Sequence, residues 1–231
     1  MKVTNALAVL PCLLFGGVAT LMAETVTERL QESATVLKEI LSAPDQGIPQ
    51  DLLDDAHCAV VVPGMKRAAF LVGAKYGRGF IICRQDNGSG WGAPAAIRIE
   101  GGSFGFQIGA SETDVVMLVM NHRGMDKLLQ SKFTLGGVAE VAAGPVGRSI
   151  TAQTDARMTA KILSWSRSRG VFGGVSLQGA TLRQDLDENQ ELYGRQITNR
   201  QIVMQKMRAP VAASELLAVL GKYSSRESAG I

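Results

Sequence analysis

The spacing of apolar residues predicts helices near both ends of the chain and one between them. Residues 25–42 place an apolar side chain every three or four positions, which is typical of an amphipathic helix. Residues 50–57 indicate a short second helix, and residues 121–131 predict a third. Residues 185–194 and 209–223 predict further helices, so we expect the C-terminal part of the chain to be helical.

From Cys58 onwards the pattern changes to short apolar runs between glycines. Residues 58–63 predict one strand, and residues 68–84 predict two strands around a glycine turn. The run "TDVVMLVM" is almost entirely apolar, which indicates a strand buried on both faces. Residues 150–163 alternate as a half-buried strand does, and a hairpin with "RSRG" at its turn follows. The sequence therefore predicts an α+β fold: a predominantly antiparallel sheet curled into a barrel or sandwich, with an N-terminal amphipathic helix and C-terminal helices.

The first 23 residues have the pattern of a secretory signal peptide. One lysine precedes an apolar run, which ends at Ala23 before an abruptly polar stretch. The alternative is a membrane anchor or a buried helix, but the run is short for a span and Pro11 interrupts it. We expect cleavage after Ala23, which leaves residues 24–231 as a single domain in an exported protein. That protein would be periplasmic or secreted, or peripheral on a membrane.

Charge is distributed unevenly, although the formal net charge is only +3. Residues 24–55 carry eight acids against two bases, whereas residues 56–231 carry 21 bases against 13 acids. The expected mature chain is thus an acidic leader on a basic body, and this asymmetry says more about partners than the total does. We expect no nucleic-acid partner.

No motif indicates catalysis. The chain contains two histidines, His57 and His122, and it has no HExxH, no Cys-x-x-Cys and no GxSxG. Its glycine-rich turns lack the length and the lysine of a phosphate loop, and its paired acids lack the spacing of a calcium loop. Both histidines are expected to be ordinary surface or capping residues. The sequence therefore predicts a protein that is not an enzyme and that needs no cofactor or metal.

Two cysteines, Cys58 and Cys83, remain after removal of the expected signal peptide. An even number of cysteines in an exported protein makes a disulfide plausible. A simple meander, however, would place the two at opposite ends of neighbouring strands, too far apart to be joined. The sequence leaves the bonded and the free state open.

Five motifs occur in a fixed order over residues 58–194: "AAFLVGAKYGRGFIICR", "GWGAPAAIRI", "GGSFGFQIGASETDVVMLVMN", "KFTLGGVAEVAAGPVGR" and "SWSRSRGVFGGVSLQGATLRQD", with "LYG" following. In these motifs the chain resembles the lipid-binding SYLF domain family, and in particular its stand-alone, exported bacterial branch. The resemblance implies a non-enzymatic domain that binds phosphoinositides and other anionic phospholipids. Eukaryotic members of the family join this domain to SH3 or FYVE modules.

Basic residues on the predicted sheet and its turns are the candidate lipid-binding residues, with Trp165 and Phe172 expected to enter the membrane interface. The first candidate cluster lies around the first predicted hairpin and comprises Lys66, Arg67, Lys75, Arg78 and Arg84. The second lies around the later hairpin and comprises Arg157, Lys161, Arg167 and Arg169. The alternative is that these are solvated surface charges without a ligand.

The amphipathic N-terminal helix is a third candidate for membrane contact. Its polar face is acidic, which argues against attraction to anionic lipid and favours a packing role. The favoured function is non-enzymatic binding of anionic phospholipids, phosphoinositide-like headgroups in particular, on a basic sheet surface facing a membrane. The alternative is a structural or protein-interaction module of the cell envelope, in which the basic face meets an acidic partner.

Overall fold

The computed structural model describes residues 24–43, 47–85, 90–135, 141–145, 161–168, 171–174, 177 and 179–224. The expected signal peptide and most of the strand predicted at residues 150–163 lie outside the described residues. Within the described ranges, no helix is both long enough and apolar enough to cross a membrane.

One long antiparallel ribbon organises the sheet. Strand β1 (Cys58–Cys83) pairs with β2 (Ala95–Val119) over nearly the full length of both strands. The pairing shifts register between Val62 and Met65, and again between Phe70 and Val72. The prediction of separate strands around a glycine turn at residues 68–84 is therefore wrong, because β1 continues through this segment.

The ribbon bends so strongly that the two ends of β1 meet. A straight strand of this length would span about 80 Å, yet the Cα atoms of Cys58 and Cys83 lie 3.9 Å apart and a disulfide joins the two residues. Gly79 permits this contact, because a Cβ there would lie 1.9 Å from the Val61 carbonyl oxygen. Glycine thus serves a close approach of two strand segments here, and the sequence pattern alone looked like a turn.

The remaining described strands extend the sheet from the second edge of β2. The sheet has seven described strands, and every pairing is antiparallel except that of β4 with β5. The added strands are β3 (Lys132–Thr134), β4 (Val141–Ala143), β5 (Ile162–Ser168), β6 (Val171–Gly174) and β7 (Thr181–Gln184). The sheet forms a half-barrel with helices at both ends of the chain, which confirms the predicted α+β class.

The predicted helices are present. Helix α1 begins after Thr25, whose hydroxyl accepts from the Glu28 amide while the Glu28 carboxylate accepts from the Thr25 amide. The described helices are α1 (Val26–Ser42), α2 (Gln50–Asp55), α3 (His122–Leu128), α4 (Leu186–Tyr193), α5 (Asn199–Met204) and α6 (Ser214–Tyr223), the last preceded by a 3₁₀ turn (Val211–Ala213). Helix α1 packs against β1 and α6.

The sheet separates two apolar cores, and successive side chains of β2 point alternately into one and the other. Val116 and Leu118 point into the core beneath α1 and α6, whereas Val115, Met117 and Val119 point into the core beneath α3 and α5. This double burial explains the uninterrupted apolar run in the sequence.

Candidate functional site

Arg84 of the first predicted cluster is held by intramolecular contacts. Its Nε donates to the Ala56 carbonyl at 2.9 Å, and its Nη2 donates to the Leu53 carbonyl at 3.0 Å and to the Ser224 hydroxyl. The guanidinium lies over the Trp91 ring, 4.3 Å from its centroid. Arg84 therefore ties the end of α2 and the C-terminal end of α6 to the sheet, a structural role that occupies its donors.

Arg78 of the same cluster belongs to a buried ion network with helix α4. Its Nη1 lies 3.2 Å from Glu188 Oε1, its Nε lies 3.3 Å from Asp185 Oδ2, and Arg29 of α1 also donates to Glu188 Oε1. Arg29 is only 5% exposed, and both carboxylates are buried. Burial raises the pKa of the Glu188 carboxyl, although the neighbouring Arg29 opposes the shift. The network joins α1, α4 and β1.

In the second predicted cluster, Arg167 is also held by ion pairs, and two other members lie outside the described residues. Arg167 lies within β5, where its Nε donates to Asp114 Oδ2 at 2.7 Å and its Nη1 pairs with Glu39. Lys161 is half-buried just before β5, and its carbonyl accepts from the Met120 amide at 2.8 Å. Arg157 and Arg169 lie outside the described residues.

Trp165 does not reach the surface. It is fully buried in the core beneath α1, and its Nε1 donates to the Pro145 carbonyl at 3.0 Å. The expectation that Trp165 enters a membrane interface is therefore wrong, because its β5 position points inward. Phe172 lies in β6 opposite Arg167.

The remaining cations of the first cluster lie on the outer part of the ribbon, which is the segment of β1 from Lys66 to Tyr76. The ribbon patch comprises Lys66, Arg67, Lys75 and Tyr76. Lys66 is exposed, Arg67 and Lys75 are half-buried, and the Tyr76 side chain is 45% exposed. Partial burial lowers the pKa of the Lys75 ammonium, and the positive charge of Arg67 lowers it further. The bend of β1 thus brings two cations that are eight positions apart within electrostatic reach of each other.

The ribbon patch has few charge partners. Among the described residues, none of its three cations forms an ion pair, although Lys66 lies opposite Glu112 in the strand register. A hollow of about 230 Å³ lies beside the patch and is lined by Lys66, Tyr76 and Arg78, among other residues. The arrangement offers cationic donors and an exposed aromatic ring to an anionic ligand.

Helix α1, the third candidate, presents an acidic groove. A hollow of about 580 Å³ is lined by several acids, by Lys66 of the ribbon patch and by other residues; the acids include Glu28 and Glu32 of α1 and Glu112 and Asp114 of β2. Burial raises the pKa of the Asp114 carboxyl, while a hydrogen bond from the Gly64 amide opposes the shift. Because acids predominate in its lining, the groove disfavours an anionic surface, and the buried side of α1 packs on the core.

Sequence reasoning missed a row of cations that crosses four strands. The strand register places Lys132, Arg183, Arg98 and Arg78 side by side on β3, β7, β2 and β1. Glu100 separates two of them, since its carboxylate lies 2.8 Å from Arg98 Nε and 3.0 Å from Arg183 Nε. Like charges directly opposite each other destabilise a sheet, and this carboxylate offsets that cost. Only the strand pairings reveal the row.

The two histidines also meet, which the sequence did not predict. The ring centroids of His57 and His122 lie 4.2 Å apart. In the described part of the chain, no three His, Cys, Asp or Glu side chains are grouped so as to hold a metal ion. The pair brings α3 against the residue that precedes β1.

Comparison with protein-family models places residues 100–223 in one family. That stretch, more than half of the chain, matches the Ysc84 model, which is described as "Las17-binding protein actin regulator". The match begins within β2 and ends with α6, so it covers most of the sheet and the C-terminal helices.

Curated relatives extend the similarity to most of the chain. SH3 domain-containing YSC84-like protein 1 of Xenopus laevis is 32% identical over 85% of this chain and 60% of its own length, and the Homo sapiens protein is 31% identical over 85% and 58%. Protein YSC84 of Saccharomyces cerevisiae is 29% identical over 88% of this chain and 45% of its own length. The chain spans about three fifths or less of these relatives, whose names describe SH3-domain or YSC84-like proteins. The chain belongs to the Ysc84 family, the SYLF-domain family that its five motifs resemble.

Proposed function

We propose that this chain is a non-enzymatic domain that binds anionic phospholipids, with headgroups of the phosphoinositide type preferred, through the ribbon patch. The observation that carries the proposal is the location of Lys66, Arg67 and Lys75 on the outer part of the β1–β2 ribbon, where none of them forms an ion pair among the described residues. Membership of a family described by binding and regulation supports a binding role.

Bringing two cations together costs free energy that a bound phosphate offsets. Charge-assisted hydrogen bonds to phosphate are short and strong, and arginine can make two of them in parallel. A basic residue near an anionic leaflet contributes about 1 kcal/mol. A headgroup that carries several phosphates contacts Arg67 and Lys75 at once. The exposed Tyr76 ring suits the boundary between headgroups and acyl chains.

Sedimentation with lipid vesicles tests the proposal. The purified protein should sediment with phosphatidylcholine vesicles that contain phosphatidylglycerol or a phosphoinositide, and not with phosphatidylcholine alone. Replacing Arg67 and Lys75 by Glu should weaken this binding at least about tenfold, and more at low salt than at high salt. Equal sedimentation with anionic and neutral vesicles would contradict the electrostatic mechanism.

A matched control distinguishes the effect of charge in the ribbon patch from the effect of the protein's net charge. Lys38 and Lys222 are exposed on α1 and α6, and neither lines the hollow beside the ribbon patch. K38E/K222E changes the net charge by the same amount as R67E/K75E, and we expect it to bind nearly as the parent does. Equal loss of binding in both double variants would show that only the net charge matters, and the ribbon patch would then lose its assignment.

A protein-binding role is the second candidate, because the family model is described as a Las17-binding protein actin regulator. In this chain the basic surface would meet an acidic protein. Capture of partners from cell extract, with and without detergent, distinguishes the two functions. A partner that stays bound after detergent has dissolved the membranes favours protein binding, whereas loss of all partners favours lipid.

We also propose that the protein is exported. The disulfide between Cys58 and Cys83 supports this proposal, because such bonds persist mainly in oxidising compartments. N-terminal sequencing of protein from its native compartment should begin at Glu24. A cytoplasmic product that retains Met1 would contradict export.

A further inference from the structure

Exposed apolar side chains concentrate on one short segment. Among the described residues, the large apolar side chains that are clearly exposed are Tyr76, Met204 at 41% and Val211 at 88%. The last two bracket residues 204–211, which we call the α5–α6 segment because it joins those helices. Single exposed apolar residues are ordinary, but two at the ends of one short segment suggest a contact surface.

The same segment is cationic. Residues 195–211 contain four bases and no acid: Arg195, Arg200, Lys206 and Arg208. Lys206 and Arg208 lie inside the α5–α6 segment and are exposed. Arg200 pairs at 3.6 Å with Asp126 of α3. Apolar side chains flanked by cations are the pattern of a surface that meets an anionic membrane interface.

The α5–α6 segment has a defined backbone conformation. Helix α5 is anchored by Ile202, which is fully buried, and the Met207 amide donates to the Ile202 carbonyl at 3.2 Å. Lys206 adopts a left-handed φ of 51° between them, which turns the chain sharply. The Ala213 amide then donates to the Pro210 carbonyl at 3.0 Å and starts the turn into α6. These hydrogen bonds therefore fix the backbone that carries Met204 and Val211.

We propose that the α5–α6 segment is a second membrane contact, which places Met204 and Val211 in the interface of an anionic bilayer while Lys206 and Arg208 contact headgroup phosphates. This inference rests on the proposed lipid-binding function and adds a site to it. A protein partner fits less well, because the crevice beside Met204 and Met207 holds only about 30 Å³. An anchoring side chain from a partner needs a pocket, whereas a bilayer accepts a protruding one.

A tryptophan probe tests the insertion directly. The native tryptophans, Trp91 and Trp165, are buried and should not respond to lipid. Val211→Trp should show a blue-shifted emission on addition of vesicles of phosphatidylglycerol and phosphatidylcholine, and brominated lipids should quench it. The control is Ala218→Trp, an exposed position on α6, which should show neither change. Val211→Trp that stays unshifted and unquenched while the protein sediments with these vesicles would overturn the inference.

Two double variants separate the apolar and the charged contributions. M204S/V211S should weaken vesicle binding about tenfold at every salt concentration, because it removes apolar area from the contact. K206E/R208E should weaken binding at least about tenfold at low salt and less at high salt. K38E/K222E again controls for net charge, and melting curves confirm that each variant is folded.

The outcomes distinguish this inference from the function on which it rests. Loss of binding in both double variants, with quenching of Val211→Trp, supports the second contact. Parental binding by both variants, with loss in R67E/K75E, overturns the α5–α6 site and leaves the proposed function standing. Failure of the parent protein to bind anionic vesicles overturns both. Unchanged vesicle binding together with loss of a captured acidic protein in K206E/R208E would reassign the segment to a protein partner.

Discussion

Two cations of β1, Lys75 and Arg78, lie three positions apart but have different charge partners. Arg78 reaches the buried carboxylates of Glu188 and Asp185, and Glu188 also pairs with Arg29. Lys75 lies half-buried within reach of the charge of Arg67, with no ion-pair partner among the described residues. One site is a compensated network that joins three elements, and the other is a pair of like charges at the surface.

The difference shows that the partner, rather than the residue type, decides the role of a cation. Removing one member of a buried ion pair leaves an uncompensated charge in the interior, so the network matters for stability. Charges that keep contact with solvent and have no ion-pair partner contribute little to stability, so the ribbon patch is better suited to binding than to holding the fold together. Variants in the network should therefore change folding, and variants in the patch should change affinity.

Glu188→Ala should produce the largest effect. It leaves the buried Arg29 with only the partly exposed Glu24 as a carboxylate partner among the described residues, and breaking a buried pair costs about 3–5 kcal/mol. We expect the free energy of unfolding to fall by about that amount in chemical denaturation. Glu191→Ala, at an exposed position on the same helix, should change it by less than about 0.5 kcal/mol. Similar losses in both variants would show that the network does not stabilise the fold in particular.

The disulfide joins the two ends of the bent strand on which both sites lie. Cys58 and Cys83 are separated by 25 positions, and a cross-link of that span stabilises a fold by about 3 kcal/mol in the chain-entropy account. C58S/C83S should lower the free energy of unfolding by about that amount. It should also weaken vesicle binding, because the bend brings Arg67 beside Lys75. A destabilised variant with parental affinity would uncouple the bend from the ribbon patch.

Glu188 should also give the network a pH dependence. Burial raises the folded-state pKa of this carboxyl above its ordinary value of 4.5, so the unfolded chain loses the proton first as pH rises. In the window above 4.5 unfolding therefore releases a proton, and the contribution of Glu188 to stability falls with rising pH. The difference in unfolding free energy between parent and Glu188→Gln should shrink by less than about 1.4 kcal/mol per pH unit. A difference that grows with pH would reverse the sign of the shift.

Helices and the central apolar strand could be predicted from the sequence because their signals are local. The spacing in α1 and its Thr25 cap, and the apolar run of β2, need only neighbouring residues. The bend of β1 was missed because a glycine that permits a close approach looks the same as one that forms a turn.

The candidate site was harder to predict because its charge partners are distant in sequence. Glu188 lies 110 positions from Arg78, and Asp114 lies 53 positions from Arg167. Composition could therefore identify a basic surface in general terms, but it could not tell which cations already had carboxylate partners. Strand register and helix placement supply that information.

The charge state of Lys75 tests the central claim most directly. NMR titration of the Lys75 side chain should give a pKa below the ordinary value of 10.5 in the free protein, lowered by partial burial and by Arg67. Adding a soluble inositol phosphate, as a headgroup probe, should raise that pKa, because the bound phosphates stabilise the ammonium form. A Lys75 pKa that stays unchanged at saturating probe, while the same probe competes the protein off anionic vesicles, would contradict the assignment of the headgroup to the ribbon patch.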